Sequence, residues 1–175
     1  MSTIHELLIL RHAKATWEAS TSVDFERPLS NRGRIEASRI GRHIERSGWW
    51  PDTILCSSAV RTVQTLDRIA QAANRSQEGV VFDKRIYAAE LEYLLRLPGI
   101  HAKPDTQRLM IIGHNPGLEN LLAYLVGAGG LESIEKKTKA LPTATLARFT
   151  IPRFDSIEPA CATLLDRVRG KELED

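Results

Sequence analysis

The chain has 175 residues, enough for one domain with a sizeable core and short for two. Hydrophobic residues at 42% and charged residues at 26% are ordinary globular values, which argues against disorder and against a fibrous repeat. A formal charge of +2, with no long Lys/Arg block and no aromatic RNA-binding motif, gives no support to a nucleic-acid partner. No stretch reaches the roughly 18 continuous apolar residues of a membrane span. The N-terminal stretch with His5 and Glu6 does not read as a signal peptide, so the cytoplasm is the expected location, with no membrane partner. Cys56 and Cys161 lack the spacing of a zinc site and read as reduced thiols in apolar runs.

In chain order, short Leu/Ile/Val runs alternate with longer amphipathic segments, the pattern of strands crossed over by helices. The opening run "LLILRH" is a strand that ends in Arg11 and His12. A polar loop over 13–29 follows. Ser30 then signals a helix start, Gly48 and Pro51 its end, and Ala37, Ile40, Gly41 and Ile44 fall on one face. "TILCSS" is a second strand running into Ser57 and Ser58, with Ser58 as a cap for a helix over 59–74 that buries Val63, Leu66, Ala70 and Ala73. A third strand is expected at 80–82, a helix at 89–97, and a Pro/Gly-punctuated loop at 98–107. "RLMIIGHNPG" repeats the opening theme: a strand, then His114, then a helix to Val126 with Asn115 as cap and Pro116 in its first turn. After a loop over 127–142 come two last strands near 145–151 and 160–168, and a tail from about 169 that reads as frayed. The expected architecture is a three-layer α/β/α sandwich with a mostly parallel central sheet, in a single domain over 1–175.

In such open sheets, ligands bind beyond the carboxyl ends of the strands. Three strands deliver chemistry to that edge: Arg11-His12, Ser57-Ser58 leading to Arg61, and Gly113-His114-Asn115. Arg61 in a first helical turn lies where backbone N–H groups and the helix dipole already favour an anion, and the helix start beside His114 does the same. Two arginines and two histidines at one edge suit a phosphoryl group, because its spread charge matches the planar fork of arginine. His5, His43 and His101 lie in polar surroundings without such partners.

At these residues the sequence resembles the histidine phosphatase superfamily, with its phosphoglycerate-mutase-like fold, and within it the small SixA-type phosphohistidine phosphatases. The resemblance rests on "LILRHAK", "RPLSNRG" (27–33), "CSSAVRTVQT" (56–65) and "MIIGHNPGLENLL" (110–122), in that order along nearly the whole chain. It implies His12 as nucleophile, Arg11 and Arg61 as phosphate clamps, and His114 as the second pocket histidine. One departure is Ala13, where the family usually has glycine, a change that narrows the backbone's options.

The chemistry also stands on the residues themselves. A neutral imidazole whose one nitrogen holds its proton on a fixed acceptor offers the other as a nucleophile, and neighbouring arginines favour the neutral form. Attack on phosphorus would form a phosphohistidine that water then hydrolyses, with Arg11, Arg61 and His114 on the equatorial oxygens. No metal or other cofactor is called for. A proton donor for the leaving group is less defined: Glu90 lies in the segment where larger relatives place a glutamate, Asp24 precedes Arg27, and Arg27 either pairs with Asp24 or reaches the pocket. Too few residues separate the third strand from Leu109 for the capping insertion of the family's mutases, so the pocket is expected to be open. An open pocket admits a phosphohistidine protein, but equally a small phosphomonoester. A phosphate-binding module without turnover is the third reading.

Overall fold

The computed structural model describes residues 4–17, 22–135 and 140–174. Among these, six strands form one sheet: β1 (His5–Arg11), β2 (Thr53–Ser57), β3 (Val81–Asp83), β4 (Arg108–Gly113), β5 (Thr145–Ile151) and β6 (Thr163–Arg169). Their order is β3-β2-β4-β1-β5-β6, with β1 to β4 parallel, β5 antiparallel to β1, and β6 antiparallel to β5. Successive β1 side chains point to opposite faces, and both faces are covered. Leu8 and Leu10 pack with Ile40 and Ile44 of α1 (Asn31–Arg46) and Leu66 and Ile69 of α2 (Val60–Ala73). Leu7 and Ile9 pack with Leu94 and Leu97 of α3 (Leu91–His101) and Leu118, Leu121, Leu122 and Leu125 of α4 (Gly117–Glu135). This is the expected α/β/α sandwich. No helix among the described residues is long and apolar enough to cross a membrane.

The adjacent strands β2, β4 and β1 end at one edge of the sheet. Arg11 pairs directly with Gly113, and Cys56 with Ile112, so the residues that follow each strand emerge side by side. That register brings three chain segments, far apart in sequence, to one place.

Several expected boundaries differ. α3 continues to His101 through Pro98 instead of ending at Leu97. Proline inside a helix forfeits a hydrogen bond, at about 3 kcal/mol. Here Leu97 and Pro98 are buried, and Gly99 packs against the backbone of Phe154 and Asp155, so tertiary contact holds the last turn. α4 resumes after Gly127, a position expected to begin a loop. Gly127 adopts φ 68°, a left-handed value that favours glycine, and the following turns place Leu131 and Ile134 against the core. The tail does not fray from 169: Gly170 N donates to Ala144 O at 2.8 Å, Gly170–Glu172 forms a 3-10 turn against α1, and Leu173 packs on the α1/α2 core. Residues 18–21 and 136–139, within the two expected loops, lie outside the described residues.

Candidate active site

The backbone around His12 is fixed from three directions. His12 N donates to Gly113 O at 3.1 Å, Ala144 N donates to His12 O at 3.1 Å, and Ala13 N donates to Thr65 Oγ1 at 3.0 Å. The "RPLSNRG" stretch supplies the next support. Ser30 caps α1 by accepting from Gly33 N, while its own N–H and hydroxyl both donate to Lys14 O at 2.8 and 3.0 Å. A Cβ on Gly33 would stand 2.2 Å from that carbonyl oxygen, so only glycine lets α1 approach this closely. Ala13, the departure from the family's glycine, has its methyl buried among Leu29, Ala37 and Ala144, and its φ is not positive. The substitution is accommodated in the packing.

The four residues expected at the strand ends come together. His12 Nδ1 lies 2.7 Å from Ala13 O, an acceptor only, so Nδ1 carries the proton and Nε2 the lone pair. Arg61 Nε donates to that Nε2 at 3.3 Å. The His12 and His114 rings lie 5.1 Å apart, and both are buried. Burial, and after it Arg61 and Arg11, push the His12 pKa down to about 4. Burial and then the neighbouring His12 push His114 down to about 3. Both rings are therefore neutral at physiological pH. Arg11 reaches from the end of β1, its Nη1 donating to Leu141 O at 3.0 Å, and its Nε is buried without a partner among the described residues. It lines a cleft of about 530 Å³ with Asn115, Glu119 and Asn120.

Helix starts differ in detail from the sequence reading. Ala59, rather than Ser58, is the cap residue of α2, without a side-chain cap bond. Arg61 still falls in the first turn. Asn115 does not cap α4, because its Nδ2 donates to Leu141 O at 2.9 Å and its Oδ1 has no partner among the described residues. Ser57 takes a part that sequence reasoning missed: its Oγ accepts from Ala59 N and lies 2.8 Å from His114 Nε2.

The candidates for leaving-group chemistry separate sharply. Asp24 sits at the site as a hub. Its Oδ1 accepts from Arg27 Nη1 at 3.0 Å, its Oδ2 from Arg61 Nη2 at 3.0 Å and Tyr87 OH at 2.5 Å, and its main-chain oxygen from Arg61 Nη1 at 2.7 Å. The Tyr87 hydroxyl, followed by the arginines, holds its pKa at about 2. An ionised carboxylate has no proton to give. Arg27 pairs with Asp24 and stacks on Trp17, 4.4 Å from the ring centroid. Glu90 is exposed in the cap position of α3, without a side-chain cap bond. Tyr87, which the sequence reading did not single out, lies 5.3 Å from the His114 ring and edge-on to Phe25. Residues 84–107 hold only a turn and α3, with no capping insertion, and Tyr87 links Phe25 and Asp24 beside His114.

The family model of the histidine phosphatase superfamily (branch 1) matches residues 7–86. A chloroplastic protein of Arabidopsis thaliana, itself uncharacterised, is 33% identical over 144 residues, which cover 78% of this chain and 64% of the relative. This chain thus spans somewhat less than two thirds of that relative's length. A 2,3-bisphosphoglycerate-dependent phosphoglycerate mutase of Leifsonia xyli is 35% identical over 79 residues, 43% of this chain and 31% of the mutase. Among solved structures, a candidate phosphohistidine phosphatase SixA from Agrobacterium tumefaciens superposes with a TM-score of 0.78 at 30% identity, covering 94% of this chain and 97% of that one. A protein histidine phosphatase SixA complexed with tungstate shares the fold, with a TM-score of 0.74 at 19% identity, covering 97% of this chain and 99% of that one. With a sequence match that runs from β1 through the turn after β3, and a structural match along nearly the whole length, this chain belongs to the histidine phosphatase superfamily and has the fold of its SixA-type members.

Proposed function

We propose that the protein is a phosphatase that works through a phosphohistidine on His12, with a phosphohistidine-bearing protein as its preferred substrate. The observation that carries the reading is the His12 ring: Nδ1 is held on Ala13 O, while Nε2 is aimed at the Arg61 guanidinium. Arg61 Nε–H shifts from Nε2 to a phosphoryl oxygen as the substrate binds. Nε2 then forms the bond to phosphorus as the bond to the leaving group breaks, and in the second step water takes phosphorus from Nε2 and restores the ring. Arg11 and His114 bind the remaining oxygens. His114 Nε2 lies 2.8 Å from Ser57 Oγ, and its Nδ1 is buried without a partner among the described residues.

The leaving group favours the protein substrate. Around Nε2, the two histidines titrate near 4 and 3 and Asp24 near 2, while bonding to Asp24 raises Tyr87 above the ordinary phenol value. None of these groups readily transfers a proton at neutral pH. An imidazole leaves with much less help than a sugar alkoxide. kcat/KM should therefore be higher on phosphohistidine protein and aryl phosphate than on sugar phosphates, measured side by side on one preparation. Preferred turnover of a sugar phosphate would instead support a small-metabolite phosphatase, a second reading favoured by Glu119, whose carboxylate shares the cleft with Arg11. Binding of phosphate without turnover of any substrate would leave the non-catalytic module.

The acid limb of the pH profile follows from His12. Its folded pKa lies below the ordinary 6.5, so the neutral nucleophile persists as the pH falls, and kcat/KM should hold to about pH 5 and drop through about 4. An acid limb centred near 6.5 would show that His12 is not the shifted nucleophile. Stability has the same sign. The unfolded chain takes up these protons first, so stability is full above about 6.5 and declines as the pH falls towards 4 for His12 and 3 for His114.

A further inference from the structure

Asp24 is more than a neighbour of the site. Both terminal nitrogens of Arg61 end on this one residue, Nη1 on its main-chain oxygen at 2.7 Å and Nη2 on its carboxylate at 3.0 Å. Two anchors at one end of a planar fork fix the plane and leave the third nitrogen, Nε, pointing at His12 Nε2. The carboxylate is itself fixed, because Tyr87 and Arg27 hold its two oxygens from separate elements. Arg61 is buried, whereas the Asp24 side chain is 42% exposed, so the pair sits at the border between pocket and solvent. Asp24 lies on the 3-10 turn Asp24–Glu26, in the segment that leads to "RPLSNRG". The turn and Arg61 therefore meet through this carboxylate.

We propose that Asp24 is a positioning residue for phosphoryl transfer: it aligns the Arg61 fork on the reacting nitrogen of His12, and Tyr87 secures Asp24. The assignment rests on His12 being the nucleophile. It differs from a proton-donor role in its leaving-group dependence, because a misaligned clamp slows every substrate alike whereas a lost acid slows basic leaving groups most. It also differs from a general structural role, because an effect exerted through Arg61 vanishes once Arg61 is gone.

The test uses the full chain with Asp24→Asn, Tyr87→Phe, Arg61→Ala and the Asp24→Asn/Arg61→Ala pair. kcat and KM are read on an aryl phosphate and a sugar phosphate, and affinity on vanadate by calorimetry. Asp24→Asn should lower kcat/KM by about 10- to 100-fold, the range of a lost charge-assisted bond, by the same factor on both substrates, and should weaken vanadate comparably. In the Arg61→Ala background it should add nothing. Tyr87→Phe, which leaves the Asp24–Arg61 pair intact, should give a smaller loss of the same kind and serves if Asp24→Asn folds poorly. A larger loss on the sugar phosphate, additivity with Arg61→Ala, or unchanged vanadate binding would each overturn the proposal. Should the wild type hydrolyse neither of these substrates nor a phosphohistidine protein, the phosphatase reading fails, while the vanadate cycle still tests the link between Asp24 and Arg61.

Discussion

His12→Ala is expected to lose turnover by about 10⁴-fold or more, as removal of a covalent nucleophile does, while remaining folded. The fold should tolerate the change because the ring's bonds are few: Nδ1 to the adjacent Ala13 carbonyl, and Nε2 receiving Arg61. Brief exposure of the wild type to phosphorus-labelled substrate, quenched in alkali, should leave one label on the His12 ring. The label should be lost in acid, since protonating the ring turns it into a good leaving group. His12→Ala should carry no label, and thermal melting would show that its fold survives. Substantial turnover in this variant would remove His12 from the nucleophile's role and pass attention to His114, the other neutral ring of the site.

What the sequence made legible, and what it hid, divides along physical lines. Strands β1 and β4 are uninterrupted apolar runs because both of their faces are covered, and a polar residue that ends such a run must lie at the sheet edge. This is why Arg11, His12 and His114 could be placed together before the register of β1 on β4 was known. Arg61 followed from the serines before it, although Ser58 does not form the expected cap. Tyr87 and the hub at Asp24 carry no such signal. Their partners come from segments 63 residues apart, joined by one hydrogen bond, and neither periodicity nor local turn chemistry records that encounter. Ser57 was visible as a polar residue after a strand, but its use against His114 depends on how β2 sits beside β4. The helix through Pro98 and the helical turns after Gly127 were hidden for the opposite reason. Their local signals point to loops, and burial of Leu97, Leu131 and Ile134 overrides them.

Arg61→Ala should give the second largest effect, and it separates a phosphate clamp from a surface charge. Arg61 is buried, spans from Asp24 to His12, and lies in the first turn of α2, where the helix end adds to its positive field. A buried guanidinium that meets the charge developing on a phosphoryl oxygen acts more strongly in the transition state than in the ground state. Turnover should therefore fall by about 10²- to 10³-fold. Vanadate or phosphate affinity should drop by a smaller factor, corresponding to about 1.5–3 kcal/mol for one charge-assisted contact. Arg75→Ala is the matched control: Arg75 follows the end of the same helix and pairs with Glu45 at 2.9 Å on the surface, so neither binding nor turnover should change. Asp24, left without Arg61, keeps Arg27 and Tyr87 and a route to solvent, so the variant should melt close to the wild type. If Arg61→Ala binds vanadate as the wild type does, the phosphoryl group is held by Arg11 and His114 alone, and the Nε contact to His12 only orients the ring.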